Sequence, residues 1–218
     1  MTNHKFFQKS MPVFIIILLI SGLSLVACTT DGDEPQGEGA QDNLELTQEE
    51  QNMLLQMREE EKLARDVYNY LYSVYGRPVF DNISTSEQIH MGKVLQLLNT
   101  YNIPDPALSA PGEFSDSDLQ NLYNDLTSLG DNSLLDALIV GATVEDLDIY
   151  DLEDFVNQTD KQDIIDVFNN LTCGSRNHMR AFYSQLTNEG GTYTPQFITQ
   201  AQFDEIVNSS HEQCNGGN

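Results

Sequence analysis

Basic side chains are scarce: 10 Lys and Arg stand against 34 Asp and Glu, a formal charge of −24. Such a surface repels a phosphate backbone, which excludes nucleic acid as a partner. Two meanings of the charge remain, solubility through self-repulsion and attraction of cations, and the direction in which the carboxylates point decides between them. Sustained alternation of apolar and polar residues is also missing, so half-buried strands are not expected and the reading is all-α. Cysteine is limited to Cys28, Cys173 and Cys214, at spacings that fit no zinc-binding pattern. No Asp-x-Asp-x-Asp-Gly loop occurs, which leaves calcium without its usual scaffold among the acidic stretches.

Long apolar runs are absent too, with one exception. Lys5 and Lys9 precede a run from Met11 to Ile20 that continues to Val26 with Ser21, Gly22 and Ser24 interrupting. That order is a secretion signal. A spanning helix is the alternative, but the uninterrupted run is shorter than the roughly 20 residues a span needs. The run ends in Leu25-Val26-Ala27-Cys28, which resembles the lipobox of bacterial lipoproteins. The resemblance implies that residues 1–27 are removed and that Cys28 becomes an acylated first residue, making the membrane a partner through the lipid. Thr29 stands where an aspartate would signal inner-membrane retention, so the expected place is the outer membrane or the cell surface. Residues 28–43 then form an acidic tether, because beyond Cys28 they offer no apolar side chain larger than alanine or proline. With Cys28 acylated, Cys173 and Cys214 are left as an even pair. In an exported chain this predicts a disulfide pinning the C-terminal tail to a helix, two free thiols being the alternative.

The remaining residues, 44–218, suffice for one domain with a substantial core. Apolar residues at steps of three and four predict long helices over 47–75, 78–101, 132–157 and 160–188. Thr47 is a candidate N-cap, Gly76 a stop, and Pro78 fits a first turn, where a missing N–H costs nothing. A short helix is expected after Ser115, ending at Gly130, with Asp116 and Asp118 in its first turn, and another near Gln200 to Asn208. Short links make helices one and two, and three and four, antiparallel hairpins. A long crossover containing the short helix joins them.

Each seam turns polar near its middle. Helix one reads Leu54, Met57, Glu61, Ala64, Tyr68, Leu71, Tyr75; helix two reads Ile83, Glu87, His90, Val94, Leu97, Tyr101. Helix three reads Leu134, Leu138, Gly141, Glu145, Asp148, Leu152, Phe155, and helix four Ile164, Phe168, Leu171, Ser175, His178, Phe182. Desolvating several carboxylates together costs several kcal/mol per ion, on the order of the stability of a domain, so a positive partner is expected among them. Glutamate and histidine one turn apart, facing single glutamates from other helices, suit two iron or manganese ions. Other accounts stay open: Glu60 could take the place of Glu61 after a small rotation, and Glu87 could close a capping box opened by Ser84. Glu145 and Asp148 could belong to a solvated acidic face.

These segments resemble the ferritin-like superfamily, and more closely the prokaryotic domain-of-unknown-function family 2202. The matching stretches are Met57 to Tyr68, Ser86-Glu-Gln-Ile-His-Met91, Val140 to Asp148 and Gly174-Ser-Arg-Asn-His-Met-Arg-Ala-Phe182. The resemblance implies a ferritin-like four-helix bundle with a rubrerythrin-like metal site at Glu61, Glu87, His90, Glu145, Asp148 and His178. In that pattern helix four carries a second Glu-x-x-His, and Ser175 replaces its glutamate here. The implied activity is oxidation of ferrous iron or reduction of oxygen or peroxide. The other class is a module without catalysis that stores metal, uses it structurally or binds a partner, a second copy of the chain among the candidates. Tyr68 and Tyr150 are candidates to hydrogen-bond the ligands. Arg65, Arg176 and Arg180 are open between charge compensation and pairing on helix surfaces.

Overall fold

A computed structural model describes residues 45–214. The expected secretion signal, Cys28 and the expected tether lie outside the described residues. Six helices and no strand occur among the described residues: α1 (Gln48–Tyr75), α2 (Pro78–Thr100), α3 (Ser117–Gly130), α4 (Leu134–Val156), α5 (Gln162–Asn188) and α6 (Gln200–Asn208).

Local chemistry sets the ends. Thr47 and Glu50 form a capping box at the start of α1, and Glu50 also accepts from Thr159 Oγ1 at 2.6 Å, tying that end to the α4–α5 link. Gly76 closes α1 with a left-handed φ of 61°, a conformation a side chain resists. Pro78 opens α2, so Glu87 lies in mid-helix; Ser84 donates to the Asp81 carbonyl and opens no capping box. Asp116 is the N-cap of α3, one residue outside the first turn, because its carboxylate accepts the Asp118 and Leu119 N–H groups. Ser133 caps α4.

Contacts between facing side chains give the directions of the four long helices. Arg58, Glu61 and Arg65 on α1 meet Met91, His90 and Gln88 on α2. Gly141, Glu145 and Asp148 on α4 meet Phe182, His178 and Ser175 on α5. Ser86, His90 and Lys93 on α2 meet His178, Gly174 and Asn170 on α5. In each set the number rises on one helix as it falls on the other, so neighbours run antiparallel. The connection from α2 to α4 therefore travels the length of the helices. It leaves where Tyr101 bonds Asp163 at the start of α5 and arrives where Tyr75 bonds the Gly130 carbonyl at the end of α1.

Two apolar clusters fill the space between the helices. One gathers Tyr68, Phe80, Leu138, Phe182 and Leu186, and the other Leu54, Leu97, Leu152, Ile164 and Phe168. Burying such side chains contributes about 1.5–3 kcal/mol each. The inward polar residues of the seams form a layer between the clusters.

Candidate metal centre

Every residue from Met57 to Ala64 is buried, so this part of α1 is enclosed all round and its charges fall into two groups. Those on the outer side meet loops. Lys62 Nζ contacts Asp66 at 2.6 Å and donates to the Ala110 and Glu113 carbonyls, with the Phe114 ring 4.2 Å away. Arg58 forks onto Asp105 and bonds the Met91 carbonyl.

Glu61, on the inner side, faces α2. His90 Nδ1 lies 3.3 Å from Glu61 Oε2 and 2.8 Å from Glu87 Oε2. His178 Nδ1 lies 2.8 Å from Glu87 Oε1 and 3.4 Å from Glu145 Oε2. Glu87 therefore presents one oxygen to each histidine, and the rings stack with centroids 5.5 Å apart. The five residues make two groups that could hold a metal ion, Glu61–Glu87–His90 and Glu87–Glu145–His178, with the offered atoms of each group within 4.8 Å of one another.

The angles at these short contacts matter as much as the distances. Glu61 Oε1, Glu87 Oε1 and Nδ1 of both histidines are buried and meet no partner in hydrogen-bond geometry. Buried polar atoms are nearly always satisfied, and several orphans converging from different helices suit a cation that lone pairs can share. Charge balance agrees. Burial pushes Glu61 up to about 8 against the pull of His90. Burial opposes the charge of Glu87 as well, but His178 and His90 outweigh it and hold this carboxyl far below the usual range. Burial also opposes the charge on His178, which Glu87 and Glu145 nevertheless push up to about 10. The carboxylates thus favour positive charge on both histidines, a demand that a cation would also meet.

Asp148 lies outside both groups and accepts a hydrogen bond from Ser175 Oγ. Burial, and then the charges of Glu61, Glu145 and Glu87, raise its carboxyl well above the usual range. Tyr68 donates to Glu145 Oε1 at 2.5 Å, and burial keeps its phenol protonated. Tyr150 has no such role: it is 48% exposed and packs on Phe197. Arg65 pairs with Asp66 and Gln88, while Arg176 and Arg180 both grip Glu212, so none of the three compensates the central acids.

Asp146 has no signal in the sequence, whereas Glu60 stands there as the alternative to Glu61 and Cys173 and Cys214 as an expected pair. Asp146, fully buried beside Glu145, accepts from Tyr193 OH at 2.8 Å and from the N–H groups of Gln196, Phe197 and Ile198. Glu60 faces Asp151 and accepts from Gln56; burial raises both acids, Asp151 to about 6. Ser86 Oγ lies 3.0 Å from His178 Nε2. Cys173 and Cys214 are joined by a disulfide that fixes the tail to α5 across 41 residues.

Comparison with known proteins adds a family. Residues 50–210 match the family described as "Uncharacterized protein domain (DUF2202)". A protein of Methanocaldococcus jannaschii named "Uncharacterized protein MJ0754" is 52% identical over 169 residues, covering 77% of this chain and 91% of its own length. The "Crystal structure of hypothetical protein MJ0754 from Methanococcus jannaschii DSM 2661" is similar with a TM-score of 0.76 at 49% identity, covering 83% of this chain and 100% of that one. With nearly three quarters of its length matched, and with 52% identity to a relative over 169 residues, the chain belongs to the DUF2202 family.

Proposed function

We propose that the chain is an exported lipoprotein whose helices hold two iron or manganese ions and use them in redox chemistry. The observation that carries this reading is the sharing of Glu87, whose two oxygens each lie 2.8 Å from a nitrogen of a different histidine amid unpartnered donor atoms. Carboxylate and imidazole without thiolate suit iron or manganese. Glu61 and His90 would hold one ion, Glu145 and His178 the other, and Glu87 both, with Asp148 held in reserve by Ser175. When bound, the ions supply the electron transfer by which ferrous iron is oxidised or oxygen or peroxide reduced. The protein's own part is positioning: Tyr68 holds Glu145, and the two apolar clusters keep water from either end of the layer. The crossover running the length of the helices supports a ferritin-like arrangement.

Export is supported by the basic-then-apolar leader and by the bonded cysteines, since disulfides persist outside the reducing cytoplasm. Cys28 would carry the lipid and residues 28–43 would space the domain from the outer membrane or cell surface. Radiolabelled palmitate should enter the wild-type chain, and labelling that survives Cys28→Ala would remove the anchor.

Ser175 favours a second reading, a module that stores metal or uses it structurally, because α5 then offers one ligand where the resembled pattern has two. Metal analysis of protein purified in air without chelator, followed by oxygen and peroxide consumption, separates the readings. Two ions per chain with turnover lost in Glu61→Ala is the expected result. Bound ions without turnover would leave the storage reading. No transition metal, with a melting temperature unmoved by added iron or manganese, would overturn both.

A further inference from the structure

The two histidines reach the centre from facing helices but are held there by different means. His178 turns Nδ1 toward Glu87 and Glu145, and its other nitrogen, Nε2, lies 3.0 Å from Ser86 Oγ. A hydroxyl can accept the Nε2–H, which fixes the tautomer that leaves a lone pair on Nδ1. His90 is held by contact instead. Its Cε1 and Nε2 lie against Gly174 of α5, where a Cβ would stand 2.6 and 2.7 Å from them. Such a Cβ would force the ring to turn. His90 is buried and its Nδ1 already stands 2.8 Å from Glu87, so turning the ring takes that nitrogen off the carboxylates.

We propose that Gly174 and Ser86 are positioning residues that set the two metal positions separately: Gly174 seats the His90 ring in the Glu61–Glu87–His90 group, and Ser86 orients His178 in the Glu87–Glu145–His178 group. The inference rests on the two-metal reading. It adds that each position can be weakened without touching a ligand. Gly174 belongs to the backbone surface of α5 and Ser86 to α2, so each histidine is held by the helix across from its own.

Titration of the metal-free protein with Mn²⁺ by calorimetry, and with Co²⁺ by visible absorption, tests this in Gly174→Ala, Ser86→Ala and Ser86→Thr. Wild type should bind two ions. Gly174→Ala should weaken one of them about 10- to 100-fold and leave the other, with the Co²⁺ spectrum of His90→Ala. Ser86→Ala should weaken one ion by a similar factor, with the spectrum of His178→Ala, and Ser86→Thr should restore it. A purely structural role would lower the melting temperature of the metal-free protein without separating the ions. If Gly174→Ala folds poorly, the same substitution in a His90→Ala background, where no ring is struck, should recover the melting temperature. Equal weakening of both ions by either variant, or no weakening with folding intact, would overturn the proposal. Two ions in wild type with no selectivity in the variants defeats this inference alone, whereas no ion in wild type defeats the two-metal reading beneath it.

Discussion

Glu145 and Asp146 are neighbours on α4, equally removed from water, and they live under opposite rules. Asp146 points to the outside of the helix layer and is met by a phenol and three backbone N–H groups from residues 193–198. Glu145 points inward, where Tyr68 serves one oxygen and the other lies near a histidine that two glutamates share. The same division separates Asp66 and Asp105, answered by Lys62, Arg65 and Arg58, from Glu61 and Glu87, which keep orphaned oxygens. Acids in the outer belt hold loops to helices. Acids in the central layer are incomplete without something positive, and a buried polar group left so is costly unless it serves a purpose.

The comparison breaks hardest at Glu87. Glu87→Gln should take the ion count from two to none, because both groups draw on this carboxylate; elemental analysis with calorimetry decides it. One ion retained would mean the groups are independent. The outer belt should behave in reverse. Asp146→Ala orphans three backbone donors, so a loss of about 3 kcal/mol is expected, or roughly 6–12 °C in melting temperature for a chain of this size, with ion count unchanged. Both ions kept in Glu87→Gln, or ions lost in Asp146→Ala, would erase the distinction.

Smaller effects sharpen the boundary of the belt. Reducing the Cys173–Cys214 bond, which closes a 41-residue separation, should cost about 2–4 kcal/mol and raise hydrogen exchange in α6 and the tail more than in α1 or α2. The last effect is one of pH. Arg176 and Arg180 pull Glu212 down to about 2 from its ordinary 4.5. A depressed carboxyl adds stability above its unfolded value, and that stability fades as pH falls from about 4.5 toward 2. Tail protection followed by hydrogen exchange should drop across that window in the wild type and stay flat in Glu212→Gln. An equal slope in both would assign the acid sensitivity elsewhere.

What the sequence made legible is what repeats along a helix. The steps of three and four placed the long helices to within a few residues, and the polar positions on those steps are the ones that converge, with Glu61 rather than Glu60 facing His90. The outer belt repeats nothing. Asp146 is partnered from about 50 residues away and Lys62 from 48 and 51, through carbonyls and amides that every residue possesses, so no pattern announces them. Asp148 shared a seam with Glu145 yet lies outside both groups, because the Ser175 hydroxyl on the facing helix claims its carboxylate. Tyr150 and the three arginines were ambiguous for a related reason: rotation about a helix axis separates an inward from an outward residue by a single position.

The grip of Arg58 and Lys62 on the crossover also bears on how the family can vary. Asp105 and the carbonyls of Ala110 and Glu113 are fixed points on the connection, and all are held by α1. Between them Leu108 and Ser109 are exposed, and the length there can change while the bundle stays in register, since lengthening a surface loop costs little entropy. Relatives with insertions should carry them there, and a circularly permuted chain opened at Leu108 should still fold. The tolerance of the connection comes from two basic side chains on a helix it merely passes.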